Sequence, residues 1–216
     1  MALTKGNVTE YLVTPGTISY TVSGHNQNTG ANGYIFVTVS CPATTVVGVS
    51  YGSVAMSLVQ RRTTGYTTDW TVWQLASPPT GINNTVVTMG TANYNPCSTF
   101  ITSFTDCLGA GNISYNGTHN TVVTTSLSIS SNSMLLGAVY GGNNTTAYIG
   151  LPQGTNRTLE YNHNVSNFTW GAVSPSLTSG TKTCEGGATA SCIIMVTEIK
   201  EVVAIPTNTQ GMLMMF

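Results

Sequence analysis

Charge is what this chain has least of. Its 216 residues include six Lys/Arg and seven Asp/Glu, 6% in all, where an ordinary soluble domain carries roughly a quarter. General acid–base catalysis, metal binding and phosphate binding draw on carboxylates, imidazoles and basic side chains, and here these are few and scattered. The three histidines, His25, His119 and His163, stand in Asn/Gly-rich stretches or at strand ends, with no ligand partner two or four residues away. No Gly-x-Ser-x-Gly elbow occurs, and no serine has a recognisable His and Asp arrangement. The expectation is a protein that is not an enzyme and carries no metal and no cofactor.

Other absences narrow the partners. Apart from Arg61-Arg62 the basic residues are isolated, which leaves nothing to track a phosphate backbone, so no nucleic-acid partner is expected. No run approaches the ~20 apolar residues of a membrane span, the longest pieces being Cys192 to Val196 and the tail at Met212 to Phe216, so no membrane insertion is expected. The first residues, MALTKGNVTEYLV, hold one lysine and no long apolar run, which does not read as a secretory signal and implies synthesis in a host cytoplasm. A formal net charge of -1 gives little colloidal repulsion and favours association with copies of the same chain or with other proteins.

Five cysteines cannot all pair within the chain. Cys184 and Cys192 flank Glu-Gly-Gly-Ala-Thr-Ala-Ser, a loop able to close a disulfide in an oxidising compartment. Cys97 and Cys107 fall in one extended stretch, which would hold them roughly 30 Å apart and unbonded. The other reading is that all five are reduced, small core residues.

What is present is hydroxyl, amide, glycine and a 41% hydrophobic fraction, enough for a core. Period-two apolar patterns recur between Gly, Asn and Pro clusters, and helical periodicity is almost missing. Strands are expected at 17–23, 34–41, 46–51, 54–60, 70–75, 85–90, 99–104, 121–128, 134–140, 158–163, 168–173 and 191–199. Turn signals stand at Gly24 to Gly30, Pro78-Pro79-Thr-Gly81, Gly109 to Gly111 and Gly141 to Asn144. This spacing predicts an all-β, two-sheet antiparallel sandwich over residues 17–203, between an N-terminal arm at 1–16 and an extended C-terminal arm at 204–216.

Several blocks have a familiar order: Tyr34-Ile-Phe-Val-Thr-Val-Ser; Val46-Val-Gly-Val-Ser-Tyr-Gly-Ser-Val-Ala-Met-Ser-Leu-Val59; Trp70-Thr-Val-Trp-Gln-Leu-Ala-Ser-Pro-Pro-Thr-Gly81; Asn84-Thr-Val-Val-Thr88; and Thr102-Ser-Phe-Thr-Asp106. With the later pair at 121–130 and 133–139, the set resembles a jelly-roll β-sandwich domain of bacteriophage virion proteins (decoration, tail and fibre) and bacterial surface proteins. The resemblance covers roughly residues 18 to 200 and brings no catalytic constellation. It implies a structural role in a particle, with Trp73 in the core. The Cys97/Cys107 stretch and the 184–192 loop depart from it.

Alternation sets Trp73 and Leu75 on one face of their strand and Trp70 and Val72 on the other. Trp70 is then a groove filler beneath a loop, an exposed interface anchor or a glycan-stacking platform. The tail residues Met212, Leu213, Met214, Met215 and Phe216 form the second candidate interface, because a polar spacer, Thr207-Asn-Thr-Gln210, separates them from the domain. Glu198, Lys200 and Glu201 read as a solvated strand end, and Arg61-Arg62 as a solvated or inter-subunit loop pair. Nine Asn-x-Ser/Thr sequons occur, at Asn7, Asn83, Asn112, Asn116, Asn143, Asn144, Asn156, Asn164 and Asn167, in a composition that supplies many by chance.

The reading these features support is a non-enzymatic structural protein of a virus particle, a bacteriophage capsid decoration or tail/fibre component in many copies. Its partners are copies of itself and other virion proteins. The alternatives are a carbohydrate-binding or adhesin module for host glycans, or a cell-surface filament subunit.

Overall fold

A computed structural model describes residues 2–27, 32–63, 68–130, 132–141, 147–151 and 168–202. They form β1 (Thr4–Val13), β2 (Ser19–Gln27), β3 (Tyr34–Pro42), β4 (Val46–Tyr51), β5 (Val54–Ala55), β6 (Ser57–Thr63) and β7 (Thr68–Ala76). Then follow β8 (Gly81–Met89), β9 (Cys97–Thr105), β10 (Cys107–Ile129), β11 (Met134–Gly141), β12 (Ala147–Gly150), β13 (Phe168–Val173) and β14 (Gly180–Glu201). All pairings are antiparallel, and no helix occurs among the described residues. The expected all-β antiparallel sandwich is present, built from three sheets where two were expected. Sheet A has the order β1-β9-β3-β7-β6, sheet B β2-β8-β4-β5, and sheet C β10-β14-β11-β13 with β12 beside β14.

Sheet A is the middle layer, and the reason is written in its strands. In β3 both alternating sets are apolar or small hydroxyl, so neither face needs water. Ile35, Val37, Val39 and Cys41 pack with Trp73 and Ile101 against Tyr20, Val22, Val49, Tyr51 and Val87 of sheet B. Phe36 packs with Trp70, Val72, Phe100 and Phe104 against Leu136, Tyr140, Ile193, Met195 and Ile199 of sheet C. Phe36 meets Phe104 edge to face, with ring centroids 5.6 Å apart. Trp73 faces sheet B as expected, and Leu75 is half-buried beside it. Trp70, a candidate exposed anchor, is instead fully buried (0% exposed), because the face opposite Trp73 is covered by a third sheet.

The N-terminal stretch expected to be an arm is the edge strand of sheet A. Residues 4–13 pair with β9 from Thr4↔Thr105 to Val13↔Cys97. Strands from residues 4–105 build sheets A and B, and strands from 107–201 build sheet C. Asp106, at a φ of 51°, turns the chain between the two groups.

Sheet C is a long ribbon of β10 on β14 that doubles back on itself. Pairing runs from Cys107↔Glu201 to Ile129↔Gly180, with register shifts between Asn116 and Val122 where the ribbon bends. The bend brings Ser114 Oγ to Ser126 O (2.9 Å), and Asn112 and Asn116 donate Nδ2 to Ser128 O and Thr124 O, both at 2.6 Å. Side chains thus hold together an edge that main-chain groups would otherwise leave open. Val123, Leu127, Leu135, Val139, Ile149 and Ile194 fill the fold. Gly109 to Gly111, expected to be a turn, run within β10, with Gly109 at a φ of +96° where a register shift demands it. Cys184 and Cys192, expected to flank a loop, both belong to β14, and their thiols are free. Cys97 and Cys107 open separate strands.

Candidate functional site

The adjacent arginines sit in a strand rather than a loop, and alternation sends them to opposite layers. Arg61 meets the buried Asp69 carboxylate at 3.2 Å and donates to Val46 O, while Asp69 Oδ2 accepts from Val46 N at 2.7 Å. Burial pushes the Asp69 carboxyl up, against the opposing pull of the Val46 amide and Arg61. Arg62 lies over the Tyr115 ring, 5.4 Å from its centroid. One arginine therefore ties sheet A to sheet B, and the other ties sheet A to sheet C.

Glu198, expected on a solvated strand end, is only 1% exposed. Its carboxylate accepts from Asn112 N (2.8 Å), Ser130 N (2.7 Å), Ser130 Oγ (2.7 Å) and Ser133 Oγ (2.8 Å). Burial alone would raise its pKa, but these hydrogen bonds outweigh it and hold the carboxyl below the usual range. The site fastens the returning end of the folded ribbon to its base. His25 is equally enclosed: Nδ1 contacts Thr9 Oγ1 at 2.8 Å, Nε2 has no hydrogen-bond partner, and burial lowers its pKa to about 4. Among the described residues no three His, Cys, Asp or Glu side chains gather as a metal site would require.

A concave surface with room for a ligand lies on the outer face of sheet B. Alternation in β2 and β8 turns Tyr20, Val22, Thr85 and Val87 inward and leaves Thr21, Asn84 and Val86 outside. The β4–β5 turn at Gly52 and Ser53, with φ of 54° and 67°, curls over this face, and Gly52 N bonds Asn84 O at 2.9 Å. A Cβ on Gly52 would stand 3.0 Å from Asn83 Oδ1 and from Pro79 Cγ, and the positive φ also disfavours a side chain, so glycine suits this turn. The result is an open groove of about 420 Å³ lined by Thr21, Ser50, Gly52, Ser53, Ile82, Asn83, Asn84 and Val86. Hydroxyls and amides over an aliphatic floor can hydrogen-bond a neutral polar ligand. Thr21, Ser50 and Asn83-Asn84 carry no signal in sequence beyond strand alternation, because it is the pairing of β2, β8 and β4 that assembles them. Ile18, Val47, Val54, Leu58 and Ile82 stand exposed on or beside the same sheet.

Of the candidate interface residues, Trp70 is buried, and Met212, Leu213, Met214, Met215 and Phe216 lie outside the described residues. Among the sequons, Asn7, Asn83, Asn112 and Asn116 each donate Nδ2 to main-chain carbonyls, so the nitrogen that a glycan would occupy is in structural use. Asn143, Asn144, Asn156, Asn164 and Asn167 lie outside the described residues, as do His163 and the strand expected at 158–163. The chain matches no family model, no curated protein and no solved structure.

Proposed function

We propose that this chain is a non-enzymatic building block of a virus particle, a bacteriophage capsid decoration or tail/fibre component that works in many copies. The observation that carries the reading is how the scarce charges are used. Asp69 with Arg61, Arg62 on Tyr115 and Glu198 in its four hydrogen bonds fasten layers and ribbon, and five aliphatic side chains are left exposed on or beside sheet B, whose groove is lined by neutral residues. The ordered motifs that resemble jelly-roll virion domains support the same role. Purified full-length chain, examined by light scattering and negative-stain microscopy, should form regular multi-copy assemblies. They should persist at about 1 M salt, where the Debye length is ~3 Å and exposed ion pairs are screened. Ile82→Lys, at a residue 72% exposed, should leave the fold intact and weaken assembly. A chain that stays monomeric at every concentration would refute the proposal.

The groove on sheet B favours a second reading, a module for neutral host glycans. Binding of the isolated chain on a glycan array, abolished by Asn84→Ala and Ser50→Ala together, would establish it.

A further inference from the structure

All five cysteines are buried, and two of them stand opposite one another. Ser40 of β3 pairs with Ser98 of β9, so one further step in this antiparallel register sets Cys41 against Cys97. Both side chains enter the layer between sheets A and B, and their thiols are in hydrogen-bond contact. Directly opposed residues on antiparallel strands have Cα atoms about 4.5–5.5 Å apart. That lies inside the window of ~4.4–6.8 Å that a disulfide spans. Asn93 Nδ2 donates to Cys97 Sγ at 3.0 Å, the Tyr20 hydroxyl lies 3.9 Å from Cys41 Sγ, and Asp69 of β7 is paired with Cys41 on its other side. The other three are placed differently, with Cys107 in the A–C layer and Cys184 and Cys192 inside the folded ribbon.

We propose that Cys41 and Cys97 are a covalent modification site, joining as a cross-strand disulfide between β3 and β9 when the chain folds in the presence of a small disulfide oxidant. The chemistry is thiol–disulfide exchange. One cysteine thiolate attacks a sulfur of the small disulfide, expels one small thiolate and leaves a mixed disulfide. The second cysteine thiolate attacks the protein sulfur of that mixed disulfide and expels the other small thiolate. Two electrons pass from the cysteine pair to the oxidant, and the two protons lost by the cysteines are taken up by the two small thiolates. Timing follows from burial. In the folded chain the contact with Cys97, together with burial, holds the Cys41 thiol far above its ordinary range, so it is a poor nucleophile once sheet B has closed over sheet A. The exchange therefore belongs to the folding chain, and the finished layers shield the product.

The test is to unfold the reduced full-length chain and refold it with oxidised and reduced glutathione. Free thiols are then alkylated and peptides mapped by mass spectrometry. The refolded chain should be lighter by two hydrogens, keep three alkylatable thiols and yield one linked pair containing Cys41 and Cys97. Cys107→Ala and Cys184→Ala should keep that link, and Cys41→Ala and Cys97→Ala should lose it. Five alkylatable thiols in the refolded wild-type chain, or a link between any other cysteines, would overturn the proposal. The decisive map is read on the wild-type chain, so a variant that fails to fold does not obscure it.

Discussion

Removing the Glu198 carboxylate should unfasten the folded ribbon at the point where its far end returns to its base. In Glu198→Ala, two main-chain amides, Asn112 N and Ser130 N, and two hydroxyls lose their acceptor together. The Ser133 hydroxyl can turn to Ser130 O, already 3.4 Å away, but amides fixed in the backbone have no such freedom. A fully buried donor left unmade costs about 1–3 kcal/mol, so the two amides, whose bonds are part-buried, set an upper range of roughly 2–6 kcal/mol. Relief from burying a charge offsets part of this, and a net loss of about 3 kcal/mol is expected. Glu198→Gln keeps one acceptor oxygen while aiming an NH₂ at the other donors, and should fall between wild type and alanine. Urea unfolding followed by tryptophan fluorescence would read the loss as a lower midpoint at unchanged slope. The same variant separates out a pH effect. The carboxyl's folded pKa lies below its ordinary 4.5, so its stabilisation is present above about pH 4.5 and disappears as pH falls through the depressed value. Glu198→Gln should lack this acid arm. A Glu198→Ala chain within about 0.5 kcal/mol of wild type would refute the reasoning, since that is the range of an ordinary surface change.

His25 makes a second pH prediction of the opposite chemical type. Its pKa falls from 6.5 to about 4 on folding, so the unfolded chain takes up the proton first and stability drops as pH falls from 6.5 towards 4. The full drop is up to about 3 kcal/mol at ~1.4 kcal/mol per pKa unit. The histidine contribution is read as wild type minus His25→Gln in thermal melts, which removes the titration of every other group. A difference that is flat between pH 4 and 7 would show that His25 is not buried in its neutral form. Trp70→Ala should cost on the order of 3–5 kcal/mol, as should Trp73→Ala, because each empties a different core. Acrylamide should quench neither indole in the folded chain. Gly171→Ala would set a Cβ 2.9 Å from the Phe100 ring and should cost about 1–3 kcal/mol. Gly48→Ala meets nothing within 4 Å and should be neutral or slightly stabilising in the same denaturation assay. Deleting residues 211 to 216 should leave a folded chain that no longer assembles, and normal assembly by light scattering would dismiss the tail as a docking arm.

The strands legible in the sequence are those whose local pattern matches their final environment. β4 and β8 alternate as half-buried strands, and the Trp73 register follows from β7 alone. β1 was missed because Lys5, Gly6, Asn7 and Glu10 leave no apolar face, and what makes it a strand is the free edge of β9 beside it. For Trp70 alternation leaves a groove filler, an interface anchor and a glycan platform all open, because it tells which face a side chain takes, while the sheet that covers that face is a tertiary fact. The first half of β10 reads as turns because of Gly109, Gly111 and Gly117, which the paired ribbon absorbs. Glu198 lies three residues from its strand's end and looks solvated until Ser130 and Ser133 return to surround it. The groove's polar residues are ordinary surface residues in isolation, and only the pairing of β2, β8 and β4 makes them neighbours.

The division of the strands at Asp106 bears on how the chain is made. Synthesis delivers residues 4–105 first, and these contain every strand of sheets A and B. A nascent chain that has reached this point can close one core, but Phe36, Trp70, Phe100 and Phe104 then present an aromatic face with no cover. The cover is completed by β14, the last strand, which pairs with β10, β11 and β12 and supplies Ile193, Met195 and Ile199 to the second core. The C-terminal half therefore has to wait for its final segment, with strand pairing distant in sequence and slow to close. Over that interval the growing protein is a half-sandwich with a sticky flank, and crowded neighbouring copies meet it in its most adhesive state.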